Sequence, residues 1–223
     1  MGQRSRTASA VRLQPLVVIG SGGFGRDTLD VVDALNSDRP TYRLLGVVDD
    51  DPNPRHIRYL RDRGIIHLGT VADFLASGLR ADYLIGVANP SVRWRIAAML
   101  EEAGLSPATA VHPMAIIGSQ VVIGAGTIVC AGVQISVNVE LGRYVQLSAN
   151  SIIGYDAILE SFVTVNPGAI VSGDVTVETG ALLGSGSIIL EGLRVEYGAI
   201  VGAGTVVVNG VCPHAVVKGV PAR

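Results

Sequence analysis

Ile117-Gly118-Ser119-Gln120-Val121-Val122-Ile123-Gly124-Ala125-Gly126-Thr127-Ile128-Val129 nearly repeats itself after six residues, and the repeat goes on. Stepping by six from Ile117 gives Ile123, Val129, Ile135, Leu141, Leu147, Ile153, Leu159, Val165, Val171, Val177, Leu183, Ile189, Val195, Val201 and Val207, all aliphatic. Two positions before the next aliphatic residue a small or branched side chain recurs, as at Val121, Thr127, Ala157 and Ala169, and glycine often follows the aliphatic residue, as at Gly118, Gly142 and Gly154. A period of six matches neither the 3.6-residue face of a helix nor the two-residue alternation of a long strand. It fits a short strand plus a turn. Three such units close a triangular coil of eighteen residues, and stacked coils become parallel strands about 4.7 Å apart. Residues 112–223 therefore read as a parallel β-helix from which no long loop protrudes.

Upstream, residues 15–111 read as a small Rossmann-like α/β domain. The apolar run Leu16 to Ile19 leads into Gly20-Ser21-Gly22-Gly23-Phe24-Gly25-Arg26 and then a helical pattern carrying Leu29, Val32 and Leu35. Strand, glycine turn and helix in that order are the context a phosphate-binding loop requires, because glycine admits close backbone approach and the helix start offers free N–H groups. The competing reading is that Gly22 and Gly25 only permit tight strand-to-helix packing. A second strand, Tyr42 to Val48, ends in Asp49-Asp50-Asp51, and a third, Tyr83 to Val87, runs to Asn89-Pro90-Ser91. A helix bearing Ile96, Met99 and Leu100 follows, with Ser91 as its expected cap. This is one nucleotide-binding half, which suits a nucleotide-sugar better than a dinucleotide such as NAD.

Residues 1–14, with Arg4, Arg6 and Arg12 among small and polar neighbours, read as a disordered leader without the apolar stretch of a signal peptide or membrane span. A net charge of −2 over 223 residues argues against nucleic acid or a membrane surface as partner. Cys130 and Cys212 stand too far apart in sequence for a CxxC pair, so neither a disulfide framework nor a bound metal is expected, and the cytoplasm is the default location.

The hexapeptide run closing in Val216-Val217-Lys218-Gly219-Val220-Pro221-Ala222-Arg223 resembles the hexapeptide acyltransferases. The resemblance implies a left-handed β-helix, a homotrimer, and acetyl-CoA or another acyl-CoA bound in clefts between adjacent prisms, with Thr164, Gly173, Lys218, Gly219 and Pro221 as its contacts. The glycine loop, Asp49-Asp50, Ile85-Gly86-x-x-Asn89-x-x-x-Arg93 and Val111-His112-Pro113 are together similar to one branch. Its members are bacterial N- and O-acyltransferases of amino sugars, often UDP- or dTDP-linked, and sialic-acid-related O-acetyltransferases. For that branch the α/β domain would hold the small-molecule sugar substrate through Gly20, Gly22, Asp49, Asp50, Asn89 and Arg93.

In that branch the general base is a histidine followed by an acidic residue, just after an isoleucine-glycine turn. Here the segment reads Ile153-Gly154-Tyr155-Asp156, so Tyr155 stands in the histidine's place and Asp156 keeps the acidic one; a second family histidine falls at Thr164. His56 and His67 lie in the α/β domain, His112 and His214 at the ends of the prism, and His112 reads as a turn residue before Pro113. One coil above Tyr155 lies Gly173, whose family counterpart presents its backbone N–H to the thioester carbonyl. Tyr155, Asp156 and Gly173 are thus the candidate catalytic residues. Loss of a general base costs about 10²- to 10⁴-fold, while orientation and oxyanion stabilisation survive it. Three readings follow: an acyltransferase whose acceptor loses its proton to Asp156, to Tyr155 through a water, or to the substrate itself; transfer to a different acceptor at a site rebuilt around Tyr155; or a non-catalytic homologue that binds nucleotide-sugar or acyl-CoA as a scaffold or regulator.

Overall fold

The computed structural model describes residues 13–223; of the leader expected over residues 1–14, residues 1–12 lie outside the described residues, and Leu13 and Gln14 lie within them. Gln14 already opens the first strand, donating its N–H to Thr41 O at 2.9 Å. The α/β unit runs β1 (Gln14–Ile19), α1 (Gly23–Asp38), β2 (Tyr42–Val48), α2 (Pro54–Asp62), α3 (Val71–Ala76), β3 (Asp82–Ile85) and α4 (Pro90–Glu102). Its three strands are parallel in the order β2, β1, β3. Leu16 through Val18 are fully buried, as expected of a central strand covered on both faces.

Three details depart from the sequence reading. The short helices α2 and α3 went unread, although each carries a start signal: Asn53 before Pro54, and a capping box between Thr70 and Asp73. β3 ends at Ile85 instead of Val87, because the carbonyls of Val87 and Ala88 turn away to accept from Arg93. The cap of α4 is Asn89 and not Ser91. Its side-chain oxygen accepts from the N–H groups of Ser91 (3.0 Å) and Val92 (3.1 Å), since Pro90 occupies the first helical position and has no N–H to satisfy.

From Ala110 onward the chain winds a left-handed parallel β-helix whose faces carry seven, six and five strands. The pairing register is eighteen, as in Gln146 with Thr164 and Ile152 with Ile170. The inward aliphatic series is buried from Val129 to Val207, while at the open lower end Ile117 stays 39% exposed. The last coil is shortened, with Val201 facing Val217. The core is continuous across the junction: Leu29 and Val32 of α1 join Ala110, Ile128 and the prism interior.

Two different constraints act on the turns. Every sixth residue from Gln120 to Gly204 has a positive φ, a position filled by glycine, Asn138, Asn150, Asp156 and Asp174 but also by Tyr144 and Phe162. The glycines directly after the aliphatic residue face a different limit, close approach between coils: a β-carbon on Gly154 would lie 2.5 Å from Gly173 N.

Candidate active site

The two halves meet along the prism face whose outward positions are Ala110, Ile128, Gln146, Thr164, Leu182, Ile200 and Val216. Its only polar pair, Gln146 and Thr164, marks where Arg93 of α4 docks. Arg93 is 1% exposed. Its Nε donates to Tyr144 O (3.0 Å), one terminal nitrogen to Val87 O, Ala88 O and Gln146 Oε1, and the other to Phe162 O and Thr164 Oγ1 (2.9 Å). Burial pushes its pKa down to about 9, still above neutrality, so it is a cation ringed by neutral oxygens. The expected sugar contact is thus a clasp between domains with no donor left over. Thr164, expected at the acyl donor, is likewise 1% exposed and spent on Arg93 and Ala88 O. Beside them Tyr144 and Phe162 stack at 4.9 Å, and Tyr144 bonds to Tyr83 (2.7 Å) and Glu101. Bulky side chains at positive φ are strained by about 1–3 kcal/mol, and burial of these rings against the α/β domain offsets that cost.

The glycine loop separates into two kinds of residue. Gly20 (φ +103°), Gly25 and Gly86 form a crowded junction, where a β-carbon on Gly25 would sit 2.1 Å from Gly20 O. The packing explanation therefore holds for Gly25. Gly22 and Gly23 have nothing within 4 Å of a built β-carbon, and Gly22 stands at the N-cap of α1 with no side-chain cap, so the start of the helix is open. Asp49 Oδ2 accepts from Ser21 N (2.7 Å) and Ser21 Oγ (2.6 Å), fixing the loop, and Asp50 accepts from Val71 N, fixing α3. Both aspartates brace the site.

Above the clasp lies a cavity of about 370 Å³ between the first turn of α4 and the upper, apolar part of the same face. Asn89, Trp94, Thr179, Leu182, Ile200 and His214 line it. His214, read from sequence only as lying at a prism end, stands edge-on to Tyr197 with ring centroids 5.1 Å apart. The contact was not legible because the shortened final coil sets its register. His112 is the turn residue expected: its Nδ1 accepts from Met114 N at 3.0 Å.

Tyr155 occupies a different corner of the prism, and Gly173 is its vertical neighbour as the eighteen-residue register requires, with Asp174 N donating to Tyr155 O at 2.8 Å. The ring lies against the bare Gly173 backbone, and the phenol reaches a second coil up to donate to Glu191 Oε1 at 2.7 Å. That bond, the Glu191 charge, and further off Asp156 and Asp174 hold the phenol above its ordinary pKa. Asp156 has φ 57° and accepts from Asn138 Nδ2 at 2.8 Å, so its place in the turn is accounted for by the corner itself. Glu191 was missed in the sequence; its signal was its spacing, two coils above Tyr155. At the far end Lys218 to Arg223 fold back over the last coil, with Gly219 N donating to Thr205 Oγ1 and Ala222 N to Val206 O.

Residues 15–100 match the family model of the PglD N-terminal domain. A search of curated proteins gives no significant match. Among solved structures, PerB of Caulobacter crescentus in complex with CoA and GDP-perosamine superposes with a TM-score of 0.84 at 24% identity, covering 96% of this chain and 99% of that one. The acetyltransferase domain of PglB from Neisseria gonorrhoeae FA1090 in complex with acetyl coenzyme A gives 0.80 at 26% identity, covering 95% of this chain and 99% of that one. WeeI from Acinetobacter baumannii AYE gives 0.80 at 25% identity over 93% and 98%. From β1 to α4 the chain thus matches the PglD N-terminal domain family, and nearly end to end it has the fold of these three proteins.

Proposed function

We propose that this protein is an acyl-CoA-dependent sugar acyltransferase, moving an acetyl or related acyl group onto an amino or hydroxyl group of a nucleotide-linked sugar. The observation that carries the reading is the nearly complete two-way coverage with the PglB acetyltransferase domain, a structure holding acetyl coenzyme A. The open start of α1 beside Gly22 suits the diphosphate of the nucleotide-linked acceptor sugar. The Gly173 N–H is the candidate oxyanion donor, and Tyr155, its neighbour on the same edge, the candidate group to face the acceptor's amino or hydroxyl group. Asn89 enters through the cavity it lines, and Lys218, Gly219 and Pro221 through the C-terminal turn, where the exposed Lys218 suits the phosphates of CoA.

The cavity and the Tyr155 corner lie on different corners of one prism, so a second copy would have to bring them together. Outward positions on the face next to Tyr155 read Ile116, Gln134, Ile152, Ile170, Ile188 and Val206, an apolar strip suited to another prism. A homotrimer is the assembly we propose. No helix among the described residues is long and apolar enough to cross a membrane.

The reading is tested by incubating the protein with acetyl-CoA and a panel of GDP-, UDP- and dTDP-linked amino sugars while following free thiol. Release dependent on the sugar is the expected result. Binding of acetyl-CoA without release for any acceptor would favour the non-catalytic scaffold, a reading that the replacement of the expected histidine by Tyr155 keeps open; no binding would remove both.

A further inference from the structure

We infer that Glu191 is the positioning residue of the Tyr155 corner, orienting the phenol and receiving the proton that Tyr155 hands on when the acceptor nitrogen is acylated. The inference rests on the acyltransferase reading and adds a residue to it. Three observations carry it. Among the described residues the phenol of Tyr155 has one protein partner, Glu191 Oε1 at 2.7 Å, although the two residues are thirty-six apart in sequence. The ring can span that gap only because position 173 between them has no side chain: a β-carbon there would stand 2.4 Å from Tyr155 Cζ. Tyr155 is 43% exposed, so its oxygen remains open to an incoming group while the hydrogen points at the carboxylate.

The groups facing the phenol are Glu191, Asp156 and Asp174, all acidic, and all oppose its ionisation. A tyrosine so placed is a poor base by itself at neutral pH. It can accept a proton only by giving up its own at the same time, and Glu191 is where that proton goes. The step balances. Nitrogen adds to the thioester carbonyl, an N–H proton moves to the Tyr155 oxygen, and the phenol proton moves to Glu191. The carbon–sulfur bond then breaks, and the proton returns by the same route to the CoA thiolate. Amine and thioester give amide and thiol, with both residues restored.

The test measures kcat and KM by thiol release from acetyl-CoA with the same sugar panel, for the wild type, E191Q, Y155F, the E191Q/Y155F pair, Y155H, and Y155H/E191Q. Glutamine keeps the size and the hydrogen bond but takes no proton. E191Q is expected to lower kcat by about 10²-fold, with KM little changed. Y155F should match it, and the pair should fall no further, as for two members of one route. An imidazole takes protons itself near neutral pH, so on the Y155H background E191Q should cost little. Wild-type kcat in E191Q, or an equal loss on both backgrounds, would overturn the relay while leaving an active acyltransferase in place. A wild type that releases no thiol with any acceptor overturns the relay and the acyltransferase reading together.

Discussion

Gly173 shows how an absent side chain can be a requirement. Its backbone is ordinary for any residue, but a methyl group there would meet the Tyr155 ring at 2.4 Å and push the phenol off Glu191. Overpacking of this kind costs about 1–3 kcal/mol. Because the corner is exposed, that cost falls on the ring's position more than on the fold. G173A is expected to lower kcat by roughly tenfold or more with little change in melting temperature, measured by thiol release and calorimetry. The same contact sets a titration. A carboxylate accepting from the phenol stabilises its neutral form, so Tyr155 should ionise above the usual value of about 10. Removing the charge in E191Q should bring the midpoint down. Difference absorbance of each protein against its Y155F counterpart reads this directly, and a midpoint unmoved by E191Q would contradict the bond to Glu191.

At the scale of elements, α4 does two jobs that the sequence reading merged into one. Asn89 caps the helix and lines the cavity, whereas Arg93, one turn on, is consumed in holding the helix to the prism. N89A should cost about 1 kcal/mol of stability, seen as a lower urea midpoint. The cost of R93A should be larger, about 3 kcal/mol, since it takes the donor away from Gln146 Oε1 and from several buried carbonyls, while Thr164 keeps its bond to Ala88 O. R93K should recover only part of this, because an ammonium cannot reach acceptors on both sides of a planar fork. Hydrogen exchange in α4 and around Tyr144 should quicken in both Arg93 variants if the clasp holds the domains together. An unchanged pattern would show that the stacked Tyr144 and Phe162 suffice.

For the molecule as a whole, the coil interior is complete within one chain, yet one outer face presents Ile116, Ile152, Ile170, Ile188 and Val206 to solvent. A stack of parallel strands satisfies its own backbone but leaves its flat faces for another surface to cover. I152K combined with I170K should therefore lower the mass in light scattering to that of a single chain, with far-UV circular dichroism unchanged. Thiol release should fall along with the mass if the cavity of one copy serves the Tyr155 corner of another.

The period of six in residues 117–207 determined the prism by itself, because a constraint repeated at every coil leaves only one register in which all the aliphatic side chains point inward. That register also placed Gly173 above Tyr155, and local pattern alone was enough for β1, α1 and β2. Other features depend on contacts that no local pattern carries. That Arg93 spends its donors on the prism, that Asn89 displaces Ser91 as the cap, and that Thr164 lies under the α/β domain follow from how two independently patterned halves dock. The bond from Tyr155 to Glu191 depends on the path a ring can take across a residue without a side chain. Sequence spacing shows which residues share an edge; only the folded backbone decides which of them touch, because side-chain reach and burial are properties of three-dimensional packing.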